Sequence, residues 1–395
     1  MKYGMQARRG RFAAGGRIMA AALSFALLCP GAAMAAVPGE IPSIETPTDQ
    51  LSRLKDNKLE WDELGLLVRN YNPTISAMWD SYRKNDRNDV YDIDYNDALN
   101  NIENTYSDAL GKSDVGDAAA EAAYRQSVAN VDNTAATTDR DAAVLTDLIS
   151  EANVTEQLRK QLIGIYTNTL NTQKSRRTAA YSQTLLDAAD RKLAIGQATA
   201  LDVLNARKAV QDADVTALAD EAAAVKARQT VLVNLGWTYD AAAEICEIPI
   251  PTDAELAAVS LESGINEALT NSLPLKLAER KLAIAQGDIA RSTDQLQADN
   301  TRQQVKSDMT ARYQNLLQAE NTVKQQLLAS SNAAAALARV TRTYAVGTSS
   351  LRDLEKAQYN ADTAAIDASL SSYALAEAYY TYLAGLNGLA GNSAG

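Results

Sequence analysis

Apolar residues in this chain recur at alternating steps of four and three, the spacing that places them on one stripe of a helix. One stripe runs through Met309, Tyr313, Leu316, Glu320, Val323, Leu327, Ser330, Ala334, Leu337, Thr341 and Tyr344. A second, after Gly347, runs through Leu351, Leu354, Gln358, Ala361, Ala365, Ala368, Ser372, Leu375, Tyr379, Tyr382 and Leu386. A sustained period of about 3.5 predicts long helices lying side by side with a shallow left-handed supercoil. Many stripe residues are Ala rather than Leu, which permits close approach but buries little area each, so such seams favour assembly with further helices.

The stripes are interrupted at "YAVGTSSLRDLEKAQ". Gly347 is expected to end the incoming helix by adopting the left-handed backbone that costs glycine little. Thr348, Ser349 or Ser350 can cap the outgoing helix, with Asp353 at the positive end of its dipole. The segment therefore predicts a helical hairpin tip. "LAIGQATALDVLNARKAV" repeats it at a constant offset of 151: Gly196 meets Gly347, Thr199 meets Ser350, and Asp202 meets Asp353. Each copy continues through an Ala-rich helix into a glycine, "VLVNLGW" or "YLAGLNG". Each is preceded by a proline helix start, Pro73 in "LGLLVRNYNPTIS" and Pro274 in "GINEALTNSLPLKLA". Two homologous halves account for this.

Breakers set the expected organisation. Residues 36–50, "AVPGEIPSIETPTDQ", have no helical period and read as extended; 51–236 form a first helical repeat. A linker at 237–258 comes next, where the two prolines of "ICEIPIP" argue against helix, then a second repeat at 259–391 and a tail at 392–395. At the start, Lys2, Arg8, Arg9, Arg11 and Arg17 precede the apolar run "IMAAALSFALLC" and "AMA". This predicts a signal peptide at 1–35, since the run falls short of the roughly 20 residues a spanning helix needs.

Composition narrows the function. With 8 prolines and 19 glycines in 395 residues, the chain has the profile of long helices. Loss of 1–35 removes five basic residues and no acidic ones, taking the net charge from −11 to −16. Nucleic acid and anionic lipid are therefore poor partners. Of the two cysteines, Cys29 lies in the signal, leaving Cys246 without an internal disulfide partner. Histidine is absent, which removes the commonest general base and most zinc sites; the carboxylates lie along helical faces beside Lys and Arg as solvated surface. No enzyme activity, cofactor or metal is expected. "DIDYND" lacks the loop glycine and distal Glu of a calcium loop and reads as a solvated turn.

Two copies of G-x-x-[ST]-x-x-D-[VL] between long helices, each after an "NP" or "LP" start, resemble the TolC family of outer-membrane efflux proteins, over most of the mature chain and in the same order. The resemblance implies three protomers forming a hollow α-helical barrel across the periplasm, with the glycine turns at its inner tip. There a periplasmic membrane-fusion adaptor of an inner-membrane transporter docks. Carried over by motif, the partner-binding residues are Ile195, Gly196, Thr199 and Asp202 in the first tip, and Tyr344, Val346, Gly347, Ser350 and Asp353 in the second. The expected fold class is all-α, long antiparallel coiled-coil hairpins in two homologous repeats.

The chain departs from the family where two β-strands per repeat should form a shared membrane barrel. Only 73 residues separate Pro274 from Gly347, and they are polar and helix-compatible. They would span roughly 110 Å as one helix, or half that as a hairpin turning at 299–301; the residues leave both open. The first half has 50 more residues over this interval, acidic and without the alternation of a lipid-facing strand; "DVYDIDY" is the only alternating patch and is short and charged. Barrel strands are expected to be missing or reduced, which puts outer-membrane insertion in doubt. Two functions fit: an export or efflux conduit docking through its tips, or an extracytoplasmic coiled-coil spacer without a channel.

Overall fold

The computed structural model describes residues 51, 54, 56–91, 95–110 and 118–392. The expected signal peptide at 1–35, the extended segment at 36–50, residues 92–94 of the alternating patch and "DIDYND", and all of the tail but Asn392 lie outside the described residues.

Both repeats open with a short helix followed by a proline-started one. In the first, β1 (Lys58–Leu59) and a single 3-10 turn lead to α1 (Leu64–Tyr71) and α2 (Pro73–Arg87). Asn72 caps α2: its Oδ1 accepts from the Thr74 and Ile75 amides at 3.1 Å each, and its Nδ2 donates to the Asn234 carbonyl at 2.6 Å. A helical hairpin follows, α3 (Tyr95–Leu110) and α4 (Ala118–Thr138), with Tyr106 and Tyr124 in edge-to-face contact. The 55-residue α5 (Arg140–Ala194) then runs about 80 Å to a tight turn, and α6 (Ala200–Asn234) returns.

The inter-repeat segment holds β2 (Glu244–Ile245), paired in parallel with β1, and the short α7 (Asp253–Ala257). The second repeat has α8 (Leu261–Asn271) and α9 (Leu273–Ile284), whose cap Ser272 accepts from the Leu275 amide at 3.2 Å and donates to the Ala390 carbonyl at 2.8 Å. After a break at 285–287, the 58-residue α10 (Asp288–Ala345) runs to the second turn; α11 (Leu351–Ala384) returns and ends in a π-turn, Gly385–Leu389.

Neither alternative for the second interval describes it. The chain does not turn at 299–301, which lie inside α10, and it is not one helix from Pro274. At the break, 285–287, a carboxylate from the other repeat takes amides that no helix satisfies. Asp132 of α4 accepts from the amides of Gln286 at 2.7 Å and Gly287 at 3.1 Å.

The long helices form a layer in the order α6, α5, α11, α10. Contacts between α5 and α11 run antiparallel, from Glu156 with Thr381 through Tyr166 on Tyr373 to Tyr181 on Tyr359, so both turns lie at one end of the layer. The cores lie towards the other end. One gathers Leu59, Trp61, Leu64, Leu67, Ile75, Trp79, Leu162 and Ile248; the second gathers Leu275, Val305, Met309, Leu316, Leu375 and Tyr382. At the first, the Glu151 carboxylate accepts from Nε and Nη2 of Arg69, the Nε–H shared between its two oxygens, and from the Trp79 indole at 2.7 Å.

The expected stripe on α10 follows the packed face from Met309 through Tyr313, Leu316, Glu320 and Val323, loses phase there, and meets it again only at Ser330 and Leu337. The covered face steps to Gln326, Ser330, Ala333, Leu337 and Val340, leaving Leu327, Ala334, Thr341 and Tyr344 exposed. Four consecutive alanines at 333–336 fit either phase, so the pattern could not choose. On α11, Leu351, Gln358 and Ala365 are likewise exposed. Farther along, this helix is packed on two sides, by α10 and α5.

Among the described residues the only strands are β1 and β2, and no helix is long and apolar enough to cross a membrane. In the interval where the family resemblance would place barrel strands, the first repeat has α3 and α4 and the second has the break at 285–287.

Candidate functional site

Each tip is built from two interlocked local motifs. At the first, Gly196 has φ +74°. Its amide donates to the Leu193 carbonyl at 3.0 Å, and the Gln197 amide donates to the Lys192 carbonyl at 2.7 Å. At the second, Gly347 has φ +78°, with its amide on the Tyr344 carbonyl at 2.9 Å and the Thr348 amide on the Thr343 carbonyl at 2.9 Å. This pair of bonds closes a helix only when the residue after the cap is left-handed, which explains a glycine at that place in both.

The outgoing helices start with reciprocal capping boxes in which Asp replaces the usual Glu. The Thr199 Oγ1 accepts from the Asp202 amide at 3.2 Å, and the Asp202 carboxylate accepts from the Thr199 amide at 2.8 Å. Ser350 and Asp353 repeat this at 3.1 and 3.0 Å, which selects Ser350 from the three candidate caps. Hydrogen bonds from the Thr199 amide and hydroxyl hold the Asp202 carboxyl below its ordinary range. At Asp353 the Ser350 hydroxyl, then its amide, do the same. Both aspartates are fully ionised at neutral pH.

The motifs leave apolar side chains in solvent. Ile195 is 67% exposed and its counterpart Val346 is 74% exposed. Leu193 and Tyr344, also counterparts, are exposed beside them. Leu201, Leu204 and Leu351, which the motif does not include, are also exposed at the starts of α6 and α11. On α6 the inward face is Val203, Ala206, Val210, Ala213 and Ala217, so the leucines fall outside the seam. For Leu201 and Leu204, large apolar residues off an alanine seam were the available signal; Leu351 stands on the expected stripe, and its exposure carried none.

The tips differ in bracing. In the second, Thr343 Oγ1 lies 2.6 Å from Ser349 Oγ, and Thr348 Oγ1 donates to the Thr343 carbonyl at 3.0 Å. The first has Lys192 and Ala198 at the places of Thr343 and Ser349. The two hairpins are joined behind the tips. Tyr181 stacks on Tyr359 with centroids 4.5 Å apart, Arg177 pairs with Asp362 at 3.7 Å, and Lys174 pairs with Asp367 at 2.6 Å. All nine sequence-predicted residues thus lie at one end of the molecule, five on one hairpin turn and four on the other. Among the described residues no group of His, Cys, Asp and Glu could hold a metal ion.

No model of a known protein family matches the chain, and no curated protein matches it. Solved structures do. The outer-membrane channel OprN is similar with a TM-score of 0.54 and 11% identity, covering 90% of this chain and 94% of that one. CusC, described through conformational changes accompanying folding and transmembrane channel formation, is similar with a TM-score of 0.52 and 11% identity, covering 84% and 92%. At such identity the likeness is one of fold: the chain has a TolC-like, all-α fold whose barrel strands are absent from the described residues.

Proposed function

We propose that this protein is a TolC-like component of an envelope-spanning export or efflux system, a helical conduit whose glycine-turn tips contact a periplasmic membrane-fusion adaptor of an inner-membrane transporter. The observation that carries the reading is the pair of matched tips, both at one end of the layer and both presenting apolar side chains on rigid, locally bonded turns. Exposed apolar residues clustered on a preorganised scaffold favour a protein partner. The likeness to OprN and CusC supports the same reading at the level of fold.

The proposed assembly is a homotrimer in the cell envelope. The outer helices support it: α6 exposes Leu204, Val215, Leu218 and Val225, and α10 exposes Leu317 and Leu328. A conduit needs several copies to close, so light scattering should give a trimer; a stable monomer would exclude a channel. For docking, the test is a pull-down with a purified membrane-fusion adaptor, comparing wild type with Gly347→Leu combined with Asp353→Arg. Loss of binding in the variant is expected, and equal or absent binding in both counts against the idea.

The second reading, an extracytoplasmic spacer with no channel, is favoured by the α3–α4 hairpin. It occupies the interval where the resemblance places barrel strands, none of which is found among the described residues, and its packing tyrosines Tyr106 and Tyr124 face each other. The mass measurement separates the two.

A further inference from the structure

Two buried glutamates on α5 stand in like company, each beside an arginine and a tryptophan. Glu151 meets Arg69 and Trp79, and Glu156 meets Arg159 and Trp61. In both trios the guanidinium lies over the indole ring, 5.9 Å from its centroid. The first trio is closed: Arg69 Nη2 donates to Glu151 Oε1 at 2.8 Å, and the Trp79 indole donates to Oε2 at 2.7 Å. The second is open. Glu156 Oε1 accepts from the Thr381 hydroxyl at 3.0 Å, but its Oε2 is buried without a hydrogen-bond partner among the described residues, and so is Arg159 Nε. Arg159 Nη1 stands 3.8 Å from Oε2, beyond hydrogen-bond reach.

An open arrangement suits a neutral carboxyl. Glu156 is 8% exposed, and a charged carboxylate buried with one oxygen unmet is far costlier than the neutral acid. Burial accordingly raises its carboxyl above the ordinary glutamate value, against the opposing pull of Arg159, the Thr381 hydroxyl, Lys160 and Arg312. Of the cations, Lys160 is exposed on α5, and Arg312 on α10 is already held by Asp308 at 2.9 Å and by the Thr381 carbonyl at 2.6 Å. From α11 the neutral Thr381 faces the carboxyl. Arg159 is therefore the cation placed to answer ionisation. The consequence reaches across the repeats, because Trp61 belongs to the 3-10 turn Trp61–Glu63 at the entry to the first repeat and packs on Tyr380 of α11, ring centroids 4.4 Å apart.

We propose that Glu156, Arg159 and Trp61 form a proton-operated latch on the seam between the repeats. With Glu156 protonated, the guanidinium rests on the indole and the trio is open. When the carboxyl loses its proton to solvent, Arg159 closes on Oε2 as Arg69 closes on Glu151, and the packing of Trp61 on Tyr380 shifts with it. The latch stands independently of the conduit reading.

The test is fluorine NMR of the full chain labelled with fluorotryptophan, followed from acid to neutral pH. The chain has three tryptophans, Trp61, Trp79 and Trp237, and Trp61→Phe assigns the resonance of the first. That resonance should move with a midpoint above the ordinary glutamate pKa of about 4.3, while that of Trp79, in the closed trio, stays in place. Glu156→Gln keeps an acceptor for Thr381 and cannot ionise, so its Trp61 resonance should not titrate. Arg159→Met has no guanidinium to move and should lose most of the displacement. Three results each overturn the latch: a stationary Trp61 resonance in the wild type, a titration that persists in Glu156→Gln and so belongs to Asp62 or Glu63 on the same turn, or a displacement of full size in Arg159→Met. Circular dichroism checks that each variant keeps its helices; where Glu156→Gln does not fold, the wild-type titration and Arg159→Met decide.

Discussion

At the tip end the two repeats use the same parts in the same order: left-handed Gly196 and Gly347, caps Thr199 and Ser350, first-turn Asp202 and Asp353. At the opposite end they diverge. The first repeat inserts α3 and α4 where the second has a three-residue break, and the two are joined there because Asp132 of one accepts from the Gln286 and Gly287 amides in the break of the other. The tips also expose their large apolar residues, whereas the opposite end buries Trp79, Leu162 and Met309. Local bonding that leaves a surface free suits a contact site; long-range packing suits a foundation. Changes at the foundation should therefore alter global stability, and changes at the tips should alter local order and binding.

The largest expected effect is at the foundation. Glu151→Ala leaves the Arg69 charge and the Trp79 N–H without their shared acceptor, and should cost about 3–5 kcal/mol in urea denaturation. Gly347→Ala forces a side chain into the left-handed region, costing about 1–2 kcal/mol. That cost should be absorbed as loss of amide-exchange protection around the turn; an equal loss at Val305 and Met309 would break the distinction between the ends. Asp132→Ala should cost about 1 kcal/mol and expose the Gln286 and Gly287 amides to exchange, with Asp132→Asn intermediate.

The smallest effects are in pH. Because the Asp202 and Asp353 carboxyls are held below their unfolded values, their contribution is complete above the ordinary carboxylate pKa and is lost as pH falls through the lowered one. Acid should fray both tips while leaving them intact at neutral pH. Asp147 on α5 runs the other way. Burial pushes its carboxyl up to about 6, so stability should decline as pH rises from its unfolded value through 6. Asp147→Asn should flatten that window in denaturation curves at fixed ionic strength.

The same contrast explains what the sequence could reveal. Gly347, Ser350 and Asp353 act on neighbours within a few residues, so their spacing carried the structure of the turn. The break at 285–287 depends on a carboxylate 154 residues away, and nothing in "AQGD" alone distinguishes it from a helix that continues. "ADNT" at 298–301 has turn-forming residues yet stays helical, because Ala298 and Thr301 are buried in α10. The outward phase of Leu327 was illegible for a related reason: a seam of alanines is read only with the opposing helix in place. Beside the turns, Leu351 stands on the expected stripe yet is exposed, which periodicity does not record.

The most direct test of the docking end is site-specific photocross-linking to a purified membrane-fusion adaptor from Ile195 and Val346 at the tips and from Glu103 on α3 at the other end. The account predicts adducts from both tip positions and none from Glu103; adducts from Glu103 alone, or equally from all three, would contradict it.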